Sequence, residues 1–133
     1  SVIVALGATV GFFIAGFPIP VVLRALSHVI FVYLGSKILE KHQTEILNSV
    51  VKSQLYSFMI ALVHALGEVI VVSLFYFGIL GGMDTSEGFF CSVLLLVGVG
   101  TLVHSMVDFV VAQYLWQALE NRFTRLKLKL NQE

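Results

Sequence analysis

Four long apolar stretches, separated by short polar or proline-containing segments, dominate the hydrophobic pattern of this chain. A helix needs about 20 apolar residues to cross a hydrocarbon core of about 30 Å, and most of these stretches approach or exceed that length. The pattern therefore predicts four membrane helices, over about 1–16, 21–40, 52–79 and 89–120.

The segments between these helices carry turn and loop signals. Phe17-Pro18-Ile19-Pro20 disfavours helix in the residue before each proline. Residues 41–51 are polar and predict a loop or an interfacial helix, and residues 80–88 are rich in glycine and acidic residues and predict a turn. The whole pattern predicts one all-α domain over 1–133, an integral membrane helical bundle.

Composition agrees with a membrane protein. The chain is 58% hydrophobic and 12% charged, with a mean hydropathy of +0.95, which excludes an ordinary soluble domain. A formal net charge of zero gives no sign of nucleic-acid binding, and one cysteine excludes a disulfide within the chain. The chain opens inside an apolar run without a Met or a basic segment, so we expect it to lack its true N-terminus.

The basic residues predict the orientation in the membrane. Seven of the eight Lys and Arg residues flank the 41–51 segment or follow the fourth helix, and only Arg24 belongs to the opposite side. By the positive-inside rule, both chain ends and the 41–51 segment are cytoplasmic, and residues 80–88 face outward. We therefore expect a multi-pass protein of the cell membrane.

Two apolar helices repeat one polar spacing. His64 and Glu68 lie four residues apart on the third helix, and His104 and Asp108 lie four residues apart on the fourth. Four residues place each pair on one helical face. Ionisable groups at such depth cost a few kcal/mol each, so they face a partner, a cavity or a ligand.

His28 lies near the middle of the second helix, at a depth similar to that of His64 and His104. Three interpretations of this convergence are functional: a metal or haem site, a proton relay, or a substrate pocket. The fourth is hydrogen bonding between neighbouring helices. Because neither an HExxH motif nor a cysteine cluster occurs, we predict no metal and no cofactor.

The opposite directions of the third and fourth helices place the acidic residues of the two His–acid pairs at different depths in the membrane. The third helix runs outward and the fourth inward, so Glu68 lies outward of His64 and Asp108 inward of His104. Arg24 suits an anionic ligand, and Glu68 with Tyr76 suits a cationic or ring-nitrogen compound. We predict no catalytic residue and the following substrate-binding set: Arg24, His64, Glu68 and Tyr76. We predict that a structural polar cluster ties the helices together: His28, His104 and Asp108.

The sequence resembles the substrate-binding S-components of energy-coupling-factor (ECF) vitamin transporters. The resembling pieces are VALGATVGFFIAG before a short proline turn, then VVLRALSHVIFVYLGSKILEK, and VGVGTLVHSMVDFVVAQYLWQALENR at the end. Such proteins have six membrane helices, and the four present here resemble their third to sixth. The first two helices are absent from the resemblance.

The resemblance implies a non-enzymatic binder of a vitamin or a related small molecule. It implies three partners besides the lipid bilayer: a membrane coupling protein and two cytoplasmic ATPases. No GxxxxGK[ST] loop occurs in the chain, so the resemblance assigns ATP hydrolysis to those partners. The spacing Gly7-x-x-x-Gly11 allows close approach of another helix, within the bundle or from a partner.

Two other classes remain open. LRALSHVIFVYLG and GTLVHSMVDF also resemble the histidine-bearing helices of CAAX-type and PrsW-like membrane proteases. Those families need a Glu-Glu pair, and the chain contains none. The other class is a small accessory subunit of a membrane complex, with or without haem or a metal.

Overall fold

The computed structural model describes the backbone of residues 2–130 and the side chains of residues 2–123. It contains α1 (Val2–Ile14), α2 (Ile19–Leu47), α3 (Val50–Tyr76), a π-helical segment π1 (Phe90–Val99) and α4 (Gly100–Leu130), which continues π1. No strand occurs among the described residues. The prediction of an all-α membrane bundle is confirmed.

Three spans of these helices are long and apolar enough to cross a membrane: Ile19–Leu47, Val50–Tyr76 and Phe90–Phe123. The fourth apolar helix, α1, has 13 residues, which corresponds to roughly 20 Å at 1.5 Å per residue. Its end is set by Gly16, which has φ 75°, a left-handed conformation that glycine adopts without strain. Proline at Pro18 and Pro20 then starts α2, where a missing N–H costs little.

The connection between α2 and α3 is shorter than a loop over residues 41–51, and the helical alternative for this segment is the one observed. α2 continues past Glu40 to Leu47, with a single non-helical residue at His42 (φ −127°, ψ 24°). Asn48 and Ser49 alone join the two helices. Ser49 caps α3, because its hydroxyl accepts the backbone N–H of Lys52 at 3.4 Å. The polar segment 41–51 is therefore mostly helix.

The helices pack as an open row and not as a closed ring. Each helix contacts its neighbour in sequence, and both α2 and α4 lie against α3. Among the described residues, no backbone contact joins α2 to α4. A groove therefore runs between α2 and α4, and α3 forms its floor.

A small apolar core closes the end of α3 that is near π1. Val72, Val93 and Val97 are buried there, and Val69, Tyr76 and Phe89 pack around them. Many large apolar side chains elsewhere are exposed, as expected of helices that face lipid or other helices.

Candidate functional site

The carboxylate of Glu68 is the centre of a polar cluster that joins three helices. Glu68 belongs to α3 and is 4% exposed. Its Oε2 atom accepts a hydrogen bond from Arg24 Nε on α2 at 2.9 Å, and Arg24 Nη2 donates to the same oxygen. Thr101 Oγ1 on α4 donates to that oxygen as well, at 3.0 Å. One buried oxygen thus connects α2, α3 and α4.

The other carboxylate oxygen of Glu68 faces two histidines. His28 Nε2 lies 3.0 Å from Oε1, and His64 Nε2 lies 3.5 Å from it. The two imidazole rings meet edge to face with centroids 4.4 Å apart. Phe31 stacks on His64 at 4.1 Å. The rings are held in place by packing from α2 as well as by hydrogen bonds.

His64 is buried, and only one of its two ring nitrogens has a hydrogen-bond partner among the described residues. Its Nδ1 atom lies 2.6 Å from Ser105 Oγ on α4. Its Nε2 atom is buried and has no hydrogen-bond partner among the described residues, although it lies 3.5 Å from Glu68 Oε1. A buried polar atom without a partner costs about 1–3 kcal/mol, so His64 Nε2 is a candidate ligand-binding atom.

The hydrogen bonds and the ion pair of the cluster offset much of the cost of burying the Glu68 carboxylate. A buried carboxylate is tolerated when it is paired and hydrogen-bonded. Glu68 has a guanidinium, a hydroxyl and a histidine within hydrogen-bonding distance. Arg24 is 38% exposed in its side chain, so part of its donor capacity faces the groove.

A cavity of about 600 Å³ lies in the groove between α2 and α4. This volume suits a small molecule. Polar groups of the Glu68 cluster line part of its wall, and Phe31 and Phe109 contribute aromatic rings. Near the other end of the groove, Tyr56 donates to the carbonyl of Gly35 at 2.9 Å and joins α2 to α3. The polar cluster is therefore open to a ligand from the groove.

The pair His104–Asp108 differs from the pair His64–Glu68. His104 Nε2 lies 3.0 Å from Asp108 Oδ2, and their side chains are 71% and 63% exposed. Both residues line the cavity, but their ion pair lies within α4. Among the described residues it does not tie α4 to another helix.

The residues singled out from the sequence lie in three locations: the Glu68 cluster, the exposed pair on α4 described above, and the position of Tyr76. Arg24, His64 and Glu68 meet in one cluster. Tyr76 lies apart from them against Phe77 and Phe89, with ring centroids at 5.4 and 5.2 Å. It is not among the residues that line the cavity.

His28 is in a different group from the one the sequence predicts. It lies on Glu68 and does not join His104 and Asp108. The physical reason is that His28 projects from α2 toward α3, whereas His104 and Asp108 pair along α4. The similar depth predicted for three histidines holds for His28 and His64, whose rings touch.

Sequence reasoning missed Thr101, Ser105 and Phe31. Thr101 and Ser105 have the same four-residue spacing on α4 as His104 and Asp108, and both are short hydroxyl residues in an apolar helix. That spacing was the available signal. Phe31 lies one turn after His28, but an aromatic residue in an apolar helix carries no signal of its own.

Three of these side chains could hold a metal ion. Ligand atoms of His28, His64 and Glu68 all lie within 4.8 Å of one another. Two neutral imidazoles and one carboxylate are a donor set that zinc accepts. Sequence reasoning predicted no metal at these residues.

The fold and the cluster together define a class: a membrane helical bundle with buried ionisable side chains beside a cavity of small-molecule size. Such a site in a membrane is typical of transport or ligand binding.

The comparisons with known proteins agree with that class. The chain is 40% identical over 121 residues to the niacin transporter NiaX of Lactococcus lactis subsp. cremoris (strain MG1363), a match that covers 90% of this chain. The chain spans about half the length of that relative, 53%. No family model matches the chain, and no solved structure matches it. The relative is a transporter of a vitamin, as the sequence resemblance predicted, and the match favours transport over proteolysis.

Proposed function

We propose that this chain is the substrate-binding part of an ECF-type uptake transporter and that it binds niacin or a related pyridine carboxylate. The observation that carries the proposal is the cluster of Arg24, Glu68 and two histidines beside a cavity of about 600 Å³. The similarity to a niacin transporter supports the ligand class. The resemblance to S-components supports the type of transporter.

Arg24 is the residue best suited to the carboxylate of the ligand. An arginine has five N–H donors, and Arg24 uses its Nε and Nη2 atoms on Glu68. The remaining donors lie on a side chain that is 38% exposed and lines the cavity. Glu68 thus orients the guanidinium, and a ligand carboxylate takes the free donors in charge-assisted hydrogen bonds.

The aromatic part of the ligand fits the rest of the lining. Phe31 and Phe109 line the cavity from α2 and α4, and an offset or edge-on aromatic contact is favourable for a pyridine ring. His28 is 37% exposed in its side chain and is within reach of a ring substituent. Tyr76 was also predicted to bind substrate, and its location against Phe77 and Phe89 requires a ligand site that extends beyond this cavity.

The proposed partners are a membrane coupling protein and two cytoplasmic ATPases, with both chain ends on the cytoplasmic side. The distribution of Lys and Arg along the sequence supports this orientation. Three of the seven cations on that side have side chains outside the described residues: Arg125, Lys127 and Lys129.

Binding to the full protein, purified in detergent, tests the ligand. We expect nicotinate to bind at least ~10-fold more tightly than nicotinamide, because a neutral amide cannot form a charge-assisted pair with Arg24. Benzoate, which lacks the ring nitrogen, separates the contribution of the carboxylate from that of the ring. Equal affinity for nicotinate and nicotinamide in isothermal titration calorimetry would remove Arg24 from the ligand site.

Two arginine variants test whether Arg24 binds the carboxylate of nicotinate. Arg24→Gln is expected to lower nicotinate affinity about 10- to 100-fold, since a hydrogen bond to a charged group contributes about 1.5–3 kcal/mol. Arg122→Gln is the matched control, because Arg122 is exposed near the end of the described side chains. It also lies outside the residues that line the cavity. Size-exclusion chromatography of both variants shows whether they stay folded.

A further inference from the structure

His28, His64 and Glu68 form a set of three donors on two helices that differs from an ordinary ion pair. Their ligand atoms all lie within 4.8 Å of one another. Glu68 Oε1 is 3.0 Å from His28 Nε2 and 3.5 Å from His64 Nε2. We propose that these three residues bind a divalent transition-metal ion of the zinc type.

The spacing fits a tetrahedral ion. Bonds of about 2.0–2.1 Å from zinc to nitrogen and oxygen place tetrahedral donors about 3.3 Å apart. The separations from Glu68 Oε1 to the two histidine nitrogens, 3.0 and 3.5 Å, lie on either side of that value. The donor atoms of the two histidines lie within 4.8 Å of each other. The His28 side chain is 37% exposed, which leaves its ring room to rotate toward the ion.

His64 supplies the second observation. It is 7% exposed, and its Nε2 atom is buried with no hydrogen-bond partner in the part of the chain that the structure describes. Its Nδ1 atom lies 2.6 Å from Ser105 Oγ. With Nδ1–H donating to that hydroxyl, the lone pair of Nε2 points at the shared position. A histidine ligand of a metal characteristically donates its other N–H to an oxygen in this way.

The two carboxylate oxygens of Glu68 have different roles in the proposed site. Oε2 accepts from Arg24 and Thr101, which hold the carboxylate in one orientation. Oε1 faces the histidines and takes the ion in place of its hydrogen bond with His28 Nε2. Hydrogen bonds to the second oxygen of a ligating carboxylate are a common way to fix its direction.

Two histidines and one glutamate leave the fourth position of a tetrahedral ion open. All three residues line the cavity, so that position is available to a small molecule with a nitrogen or carboxylate donor. The ion adds positive charge beside Arg24 and favours an anionic ligand. The proposal for the ion stands without the vitamin, and the vitamin proposal stands without the ion.

Zinc binding to the full protein tests the site. The protein carries a purification tag without histidine, is treated with EDTA in detergent and is dialysed before titration with Zn²⁺. We expect one Zn²⁺ per chain by mass spectrometry of the metal content, and intense visible absorption from tetrahedral Co²⁺ when cobalt replaces zinc. A wild-type protein that binds neither ion overturns the proposal.

Histidine variants locate the ion. His28→Asn and His64→Asn are each expected to weaken Zn²⁺ binding by at least ~10-fold, since even outer partners of metal ligands contribute that much. His104→Asn is the matched control, because His104 also pairs with a carboxylate four residues on but is 71% exposed in its side chain. An equal loss in His104→Asn, or none in the other two, overturns the site.

The same samples separate this proposal from the proposed function. Nicotinate is titrated into EDTA-treated protein and into zinc-loaded protein. Nicotinate binding without any zinc binding overturns the ion and leaves the vitamin site intact. Zinc binding without any nicotinate binding overturns the vitamin and leaves the ion intact.

Discussion

Thr101 on α4 and Arg24 on α2 both donate to the same oxygen of Glu68, Thr101 at 3.0 Å and Arg24 Nε at 2.9 Å. The two donors belong to helices that make no backbone contact with each other among the described residues. The carboxylate on α3 is therefore one link between them. This relationship makes Glu68 a structural residue as well as a candidate ligand-binding residue.

Neutralising Glu68 should destabilise the protein more than neutralising Asp108. Glu68→Gln leaves Arg24 without a counter-ion, and we expect a loss of about 3 kcal/mol. This is the low end of the range for a broken buried pair, because the Arg24 side chain is partly exposed. Asp108→Asn should cost about 1 kcal/mol or less, since its pair with His104 is exposed.

Thermal unfolding of the two variants in the same detergent measures the difference. The sequence alone led to the opposite expectation for stability, because it placed Asp108 in the structural polar cluster and Glu68 in the substrate-binding set. A larger drop in melting temperature for Asp108→Asn would show that its pair is covered by helices outside the described chain.

Replacing Gly98 by a larger residue should lower the free energy of unfolding, and the same replacement at Gly100 should not. A Cβ at Gly98 would meet Val69 Cγ2 at 3.1 Å, whereas a Cβ at Gly100 would meet none of the described side chains within 4 Å. Gly98→Leu should force α3 and π1 apart at a cost of about 1–3 kcal/mol. Gly100→Leu serves as the control with the same change of residue. Chemical denaturation of both variants gives the two free energies, and equal losses would contradict the packing of Gly98 on Val69.

Gly7→Leu should spare the described bundle and weaken its association with a partner helix. A Cβ at Gly7 or Gly11 meets no atom of the described residues within 4 Å, so these glycines are not needed for contact with α2. A close approach by another helix would be blocked by leucine. Co-purification with the proposed coupling protein should fall while the melting temperature holds. Normal co-purification would mean that this face of α1 contacts lipid.

The proposed orientation can be tested by cysteine labelling in sealed cells. Cys91 is exposed and free, so it is first replaced by serine. In that background, Asp84→Cys should react with an impermeant maleimide from outside, and Lys41→Cys should react only after the membrane is opened. Both positions are exposed in the structure. Labelling of Lys41→Cys in intact cells would reverse the topology.

The helices and their membrane character could be predicted from the sequence, because insertion into lipid depends on the summed hydrophobicity of about 20 neighbouring residues. Helix ends were less accurate. The prediction ended the second helix at about residue 40, whereas α2 continues to Leu47. A polar segment can be loop or helix, and its composition does not decide between them.

Only some of the residues that form the candidate site could be predicted from the sequence. The pairing of His64 with Glu68 follows from the period of a helix, since residues four apart share a face. Their contact with Arg24 and His28 depends on how α2 is rotated against α3, and no local pattern encodes that rotation.

Helix α4 carries two polar pairs that the sequence alone does not distinguish. Thr101 with Ser105, and His104 with Asp108, are two pairs of equal spacing whose faces differ by about 60° around the helix axis. The sequence by itself determined that both pairs exist and that their helix lies in a membrane. Only the tertiary structure decided that the hydroxyl pair faces Glu68 and His64, while the charged pair remains exposed. The physical reason is that packing against α3 sets the rotation of α4, and the cost of removing the Asp108 carboxylate from solvent disfavours turning it inward.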